Sequence, residues 1–387
     1  MRIALFAETF APEVNGVART LARLVAHLRM QGHEVALVTP RLSAEAAPGV
    51  ALHIQLPAFP ALFYPGMRLG RTLDRASARR LAAFAPDLVH VTGEAFVSWS
   101  GRRWTLDQGV PLVTSFHTDI PAYLADYGLR LLERRSWEFL RRLHQPAGLT
   151  FAPSLATLSQ LRANGFHPRL RLWSRGVDAG RFSPTHADPG TRRRMAAGAR
   201  HVVLYVGRLA AEKRMGVLLD AWERVRCGVP GDAVLVVVGD GPEGPRLRAR
   251  ASADVRFTGA LTGAALAEAY ACADLFVSAS DTETFGNTVL EAMASGLPAV
   301  VADRGGVTET VRAGQDGLHA PAGDARAFAN AVLQLLRDEP LRKRMGVAAR
   351  AAACARSWES VLDGLIADYQ DAAGIPIPAA GGGERAA

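Results

Sequence analysis

Cysteine is scarce in this chain. Only Cys227, Cys272 and Cys354 occur, and no two are closely spaced. That excludes a disulfide framework or a cysteine-built zinc site and fits a reducing, cytoplasmic setting. Long apolar runs are missing as well, so no membrane span is expected. Met1-Arg2 precede an apolar segment, but Glu8 interrupts it; a strand, not a signal peptide, is expected there. The first strand–loop–helix–strand unit, residues 2–38, lacks the GxGxxG spacing, which disfavours nicotinamide binding. Neither an Asp-x-Asp pair nor a His/Cys ligand cluster occurs, so nothing demands a metal and no cofactor is expected. The basic clusters match no recognition motif, which disfavours nucleic acid as a partner.

What is present points elsewhere. Hydrophobic residues make up 49% and charged residues 21%, as in a globular protein rather than a disordered one. At 387 residues the chain is too long for one ordinary domain, and two are expected. The net charge is +8, carried by arginine clusters such as Arg134-Arg135, Arg141-Arg142 and Arg192 to Arg194. Such a balance favours acidic partners, phosphate-bearing substrates or anionic lipid among them.

Residues 278–303, SASDTETFGNTVLEAMASGLPAVVAD, organise the rest. Leu275-Phe276-Val277 is strand-like, and Val289, Leu290, Met293 and Leu297 follow near helical spacing. Gly296-Leu297-Pro298 stops that helix, and Ala299-Val300-Val301 is a second strand. The loop between strand and helix therefore lies at a strand's carboxyl end, where open α/β sheets bind ligands. Glu283 stands in the loop and Glu291 on the helix. Between them the helix N-terminus presents unpaired N–H groups, and Gly286 leaves the backbone approachable, which makes an anion site. Carboxylates accept from hydroxyls and amides donate to phosphate, so a ligand with sugar hydroxyls flanking phosphates suits all three.

The remaining chain repeats this theme. Residues 2–7 are a buried strand, 8–17 a turn-rich loop, 17–30 a helix and 35–38 a strand. Gly16 is either a plain turn glycine or a place where amides approach a phosphate. Strands at 87–91, 111–116 and 149–152 alternate with helices at 69–84, 122–143 and 154–164, which implies a parallel sheet with crossover helices. Residues 56–67 are Pro-rich and apolar and read as a covering loop. His117 and Asp119 fall at the carboxyl end of a strand, where a functional histidine is favoured over a structural one. The 122–143 helix sets Leu132, Phe139, Leu140 and Leu143 against its arginines. It is either an ordinary core-facing helix or a basic amphipathic one resting on an anionic membrane. Residues 173–190 read as a linker. A second α/β series follows, with strand ends at Gly207-Arg208, Gly239-Asp240-Gly241-Pro242, Gly259 and Arg304-Gly305-Gly306. Arg208 and Lys213 are the cations best placed for a diphosphate. Residues 324–352 are helical, 357–369 form a last helix, and 376–387 are a tail.

Together, Asn15-Gly16-Val17, Phe116-His117-Thr118-Asp119, Arg175-Gly176-Val177-Asp178, Gly207-Arg208 with Glu212-Lys213, Gly239-Asp240-Gly241-Pro242 and the 283–291 stretch resemble the retaining glycosyltransferases of family four. The resemblance implies the α/β GT-B fold, two Rossmann-like domains facing across a cleft. It implies an acceptor domain at 1–178, completed by 356–375 crossing back, and a nucleotide-sugar domain at 191–355. It also implies roles. Arg208 and Lys213 hold the donor diphosphate, Glu291 the ribose and Glu283 the sugar hydroxyls, while Gly16 lies against the phosphates. His117 lies beside the anomeric carbon. Phe285, Gly286 and Asn287 supply backbone N–H groups, Gly239 lies on the donor side and Asp119 on the acceptor side. His117, Arg208, Lys213 and Glu283 form the implied catalytic set.

The implied partners are a nucleotide-sugar and a lipid or glycan acceptor, with the enzyme cytoplasmic or peripheral on the inner membrane face. Segments 117–119 and 173–178 look most like bacterial GDP-mannose-dependent α-mannosyltransferases. The alternatives are a UDP-sugar-dependent transferase of glucosyl or sulfoquinovosyl lipid type, and a non-catalytic nucleotide-sugar-binding protein.

Overall fold

The computed structural model describes residues 1–13, 15–42, 47–60 and 68–375. Short runs rich in β-branched and aliphatic residues form its strands, and most are buried on both faces, as parallel strands under helices must be. The first series is β1 Arg2–Phe6, β2 Glu34–Pro40, β3 Leu52–Leu56, β4 Ala58–Pro60, β5 Arg68–Gly70, β6 Leu88–Val91, β7 Leu112–Ser115, β8 Leu149–Ala152 and β9 Leu170–Leu172. The second is β10 His201–Val206, β11 Ala233–Val238, β12 Val255–Gly259, β13 Leu275–Ser278, β14 Ala299–Ala302 and β15 Gly317–Ala320.

Two wholly parallel sheets result. The first runs β3-β2-β1-β6-β7-β8-β9 and the second β12-β11-β10-β13-β14-β15. In each, the chain reverses direction of travel across the sheet once, between β1 and β6 and between β10 and β13. Such switch points open crevices at the carboxyl ends of the strands. The two-residue side-chain period distributes each strand over two layers. Val202, Leu204 and Val206 of β10 join one core, and Val203 and Tyr205 the other. In β1, Ile3 and Leu5 face one layer, Ala4 and Phe6 the opposite one.

The helix Gly16–Met30 starts at Asn15, whose side chain accepts from the Ala18 N–H, and buries Leu21, Leu24, Val25 and Leu28. The last helix, Trp358–Ala373, is capped by Ser357. Its Leu362, Leu365, Ile366 and Tyr369 pack into the core of the first sheet, not the second. Tyr369 is fully buried and its hydroxyl meets His90 Nδ1 at 2.5 Å. Where the chain passes from one half to the other, the two crossing segments touch backbone to backbone. Val177 N–H donates to Arg356 O at 3.0 Å, and a Cβ on Gly176 would stand 2.5 Å from Trp358 N.

Several elements differ from the sequence expectation. The 69–84 segment is not one helix: Arg68–Gly70 pairs antiparallel with Ala58–Pro60, and the helix, Arg75–Phe84, begins at the Asp74 cap. The expected covering loop thus starts in strand; residues 61–67 lie outside the described residues, as does the 376–387 tail. The 122–143 helix is broken. Ile120–Asp126 ends before Gly128, whose φ of +79° no helix accommodates, and Glu133–His144 follows a 3-10 turn. Leu140 and Leu143 are buried as expected, whereas Leu132 and Phe139 are 40% and 46% exposed. The expected linker holds a 3-10 turn, Pro184–His186, and its last two residues begin the helix Pro189–Ala196, started by Asp188. The 324–352 stretch divides at Asp338, which caps Glu339–Cys354 with a proline in its first turn. The short edge strands β3 and β9 were not expected.

Tyr369→Ala is expected to cost about 3–5 kcal/mol in chemical denaturation, the range for removing a fully buried aromatic. A loss below about 1 kcal/mol would mean that the returning helix is not needed to close the first core.

Candidate active site

The second switch point assembles the cations and the glutamate loop. β10 runs out at Gly207, and its turn is pressed from below. Gly239, at φ +134°, lies so close that a Cβ would be 1.9 Å from Gly207 O, and one on Gly241 would be 2.4 Å from Leu209 O. Gly239 therefore lets β11 support the Arg208 turn, and only glycine fits. Arg208 is half-buried, and its carbonyl accepts from the Tyr205 hydroxyl at 3.2 Å. Ala211–Lys213 is a 3-10 turn. The Glu212 carbonyl accepts from Ser280 Oγ at 2.9 Å, and Arg214 Nε pairs with Asp281 at 3.0 Å, so this turn is fastened to the β13 loop.

These fastenings bring Lys213 onto Glu283. Nζ to Oε1 is 2.6 Å, with both side chains about four-fifths buried. Burial pulls the Lys213 pKa down, but Glu283, Tyr123 and Tyr205 outweigh it and hold the ammonium above its ordinary value. The Glu283 loop rests on the Arg304-Gly305-Gly306 turn. Gly306 N–H donates to Glu283 O at 2.7 Å, and a Cβ there would reach 2.2 Å from Thr284 O. Gly286, at φ +92°, caps the helix Asn287–Ala294 and buries Phe285 behind it. Glu291 on that helix is 8% exposed and accepts from Tyr270 OH at 3.0 Å. Burial raises its pKa, while Arg19 and Tyr270 oppose the rise.

The first half meets this surface directly. Arg19 Nη1 pairs with Glu291 Oε1 at 3.1 Å, and a Cβ on Gly16 would stand 2.9 Å from Asn287 Nδ2. Gly16 thus faces the helix head across the cleft. Thr284 Oγ1 donates to His117 O at 3.0 Å, which sets the Glu283 loop beside the β7 strand end. His117 is buried; its Nδ1 lies 2.9 Å from Arg175 Nη2, a donor, so Nδ1 accepts and Nε2 carries the proton. Burial first, then Arg175, pushes its pKa well below the ordinary histidine value. Asp119 has both oxygens engaged. One caps Ile120–Asp126 through Ala122 N–H, and the other accepts from Gln160 at 2.7 Å. Its contacts are those of a helix cap.

Lys213, Glu283, Glu291, Gly16, Asn287 and His117 thus converge on one crevice, while Arg208 is placed by its turn. Four participants were missed in the sequence. Arg19 occupies Glu291. Glu309 accepts from the Leu155 N–H at 2.8 Å and from Ala156 N–H, so a carboxylate of the second half sits on a helix start of the first. Glu8 and Glu94 lie in the loops that follow β1 and β6. Burial raises Glu8 to about 7, against the Ser98 N–H. Burial likewise raises Glu94 to about 8, with Glu8 adding to the rise and the His117 N–H opposing it. A carboxylate in the loop just past a buried strand was the available signal for both. Among the described residues, no three His, Cys, Asp or Glu side chains gather as a metal-binding group.

Two parallel Rossmann-like halves with a charged crevice at facing switch points define a two-domain glycosyltransferase architecture. Sucrose-phosphate synthase of Thermosynechococcus elongatus has this fold, at a TM-score of 0.78 and 22% identity, over 96% of this chain and 98% of that one. Residues 14–181 match the profile of Glycosyltransferase Family 4 and residues 200–338 that of Glycosyl transferases group 1. A GDP-mannose-dependent alpha-mannosyltransferase of Mycobacterium tuberculosis is 36% identical over 376 residues, 96% of each chain. A sulfoquinovosyl transferase of Arabidopsis thaliana is 33% identical over 370 residues, 93% of this chain and 71% of that one. The chain belongs to glycosyltransferase family 4.

The Glu8–Glu94 pair predicts a pH signature. Both pKa values stand above the ordinary 4.5, so the folded chain binds protons more tightly than the unfolded chain. The stability they confer is complete below 4.5 and is lost as pH rises through about 7 and 8. The buried histidines, depressed from 6.5, add no slope above that pH. The melting temperature is therefore expected to fall by a few degrees between pH 6.5 and about 8 and then level off, and the fall to shrink in Glu8→Gln. Equal slopes in the two proteins would contradict the assignment.

Proposed function

We propose that the chain transfers mannose from GDP-mannose, with retention of configuration, to a hydroxyl acceptor carried on a lipid or glycan. The observation that carries this is the Lys213–Glu283 contact inside the crevice. It is a cation and an anion held side by side, the pattern a ligand with a diphosphate next to sugar hydroxyls would engage. When the sugar leaves, negative charge grows on the diphosphate oxygen. A cation fixed in a poorly hydrated crevice stabilises that charge without reorganising. Lys213 stays charged through neutral pH, Arg208 adds a second cation, and the amides at Phe285, Gly286 and Asn287 add oriented dipoles. In this reading the diphosphate is held by these groups, with no metal or other cofactor called upon. Glu283 takes the sugar hydroxyls, Glu291 the ribose, and His117 lies on the sugar side.

The mannosyltransferase relative supports GDP-mannose; the sulfoquinovosyl transferase relative supports the UDP-sugar alternative. A melting-temperature panel separates them, because a bound donor raises the melting point. GDP and GDP-mannose are expected to raise it, and Lys213→Ala to abolish the rise. A response to UDP compounds alone would reject the mannose reading. Full response with only trace turnover in both Lys213→Ala and Glu283→Ala would reject a binding role for the pair.

The broken basic segment suits a peripheral membrane contact in the same proposal. Leu131 is 96% exposed, and Leu129, Leu132 and Phe139 are exposed beside Arg130, Arg134 and Arg135. Among the described residues no helix is long and apolar enough to cross a membrane. Each arginine at an anionic surface contributes about 1 kcal/mol. Sedimentation with phosphatidylglycerol vesicles is expected to show salt-sensitive binding that weakens about tenfold or more when Arg134 and Arg135 are both changed to Glu. Binding unchanged by salt or by the double change would remove this contact from the account.

A further inference from the structure

Beside His117 lies a buried cation that no carboxylate answers. Arg175 is 5% exposed, and among the described residues its partners are two carbonyls, one ring face and one imidazole. Nη1 donates to Trp173 O at 2.6 Å and to Ser174 O at 3.1 Å, and the guanidinium lies 4.8 Å from the centre of the Trp173 ring. Nη2 donates to His117 Nδ1 at 2.9 Å. Burial pulls the Arg175 pKa down to about 9, which leaves the group charged near neutral pH. Its backbone is fixed from behind, because the next residue, Gly176, is the one pressed against Trp358.

These contacts give the His117 ring one orientation. Trp173 meets it edge-on, with 5.3 Å between centroids and 65° between planes. Thr284 Oγ1 holds its carbonyl from the second half, and Glu94 accepts from its backbone N–H at 3.4 Å. The other ionisable groups facing it are His90 of β6 and His144 at the end of the Glu133–His144 helix, and burial keeps both neutral.

An Nδ1 that accepts from a guanidinium cannot take a proton without setting two donors against each other. The single ring proton is therefore on Nε2, which is buried and has no partner among the described residues. A carboxylate in the place of Arg175 would do the reverse: it would draw the proton to Nδ1 and leave Nε2 as a base. Packing accounts for the Nη1 contacts. It leaves the Nη2 contact and the unanswered Nε2–H without a purpose, and such groups call for a partner that a ligand can supply. We propose that Arg175 is a positioning residue, which by donating to Nδ1 holds His117 as a fixed Nε2–H donor for a hydroxyl oxygen of the donor's sugar. This rests on the donor reading above. His117 then neither gives nor takes a proton during transfer, and Arg175 acts through it without touching the sugar.

Nitrogen NMR of the full chain, isotope-labelled at histidine and assigned with His117→Gln, reads the ring directly. Wild type is expected to carry the His117 proton on Nε2 alone from about pH 5.5 to 8. In Arg175→Met part of the proton signal is expected on Nδ1. Titration calorimetry with GDP and with GDP-mannose supplies the second readout. Arg175→Met is expected to weaken GDP-mannose about fivefold or more while GDP stays within about twofold, which also reports a folded protein. Arg175→Lys, which can still donate to Nδ1, is expected to recover most of that loss. His117→Ala is expected to show the same loss, and adding Arg175→Met to it to cost less than about twofold more. A proton on Nδ1 in wild type, a ring unchanged in Arg175→Met, equal weakening of GDP and GDP-mannose, or additive losses in the double variant would each overturn the proposal. Should Arg175→Met not fold, the wild-type spectrum and Arg175→Lys decide. A wild type that binds neither nucleotide would sink the donor reading, and the nitrogen spectra alone would then decide whether Arg175 sets the His117 ring.

Discussion

The site depends on the contact between Lys213 and Glu283. An ammonium and a carboxylate 2.6 Å apart, each largely withdrawn from water, are a poor investment in stability, since desolvation offsets most of their attraction. Their environment is nevertheless built to hold them. The Ala211–Lys213 turn is fastened to Ser280 and Asp281, and the Glu283 loop rests on Gly305 and Gly306 with no space for a side chain. Glycines at the ends of β11 and after β14 thus serve as packing, so that two charged loops meet in fixed register. That preorganisation suits a leaving diphosphate, because the cation need not move as charge develops.

The crevice is held shut by contacts of the same kind. Arg19 reaches from the first half to Glu291, Glu309 reaches from the second half to the start of Leu155–Ala163, and Thr284 holds the His117 carbonyl. Behind them the crossing segments meet at Gly176 and Trp358, and the returning helix ties its end to His90 through Tyr369. In the proposed reading Arg19 stands where the ribose would, so donor entry exchanges a charged contact for a hydroxyl one. The halves can separate at the cleft only by giving up these polar links. They are individually modest and solvent-accessible once opened, which fits domain motion on the timescale of turnover.

Much of this was legible in the sequence, and for a definite reason. Parallel strands buried on both faces read as short apolar runs, and ligand groups follow their carboxyl ends, so Arg208, Lys213, Glu283 and His117 stood out by position, while the family resemblance supplied their roles and that of Glu291. Of the chain's two lysines, Lys213 is the one at such an end. The acids of the first crevice were harder. Glu8 and Glu94 come together only because β1 and β6 are neighbours in the sheet, a pairing that no local pattern encodes. Arg19 and Glu309 act across the halves, and nothing in either helix marks them. Asp119 was read by company, whereas its oxygens are committed to Ala122 and Gln160. The long helix at 122–143 failed at Gly128, where a left-handed residue ends the run and the chain re-enters with Leu129, Leu131 and Leu132 turned outward.

The central claim is that the ion pair opens to take a diphosphate. A structure of the protein with bound GDP-mannose tests it most directly. The account predicts the diphosphate against Lys213, Arg208 and the amides of 285–287, with Glu283 turned from Lys213 to the sugar hydroxyls. A complex in which Lys213 and Glu283 remain paired and the diphosphate lies elsewhere would contradict it.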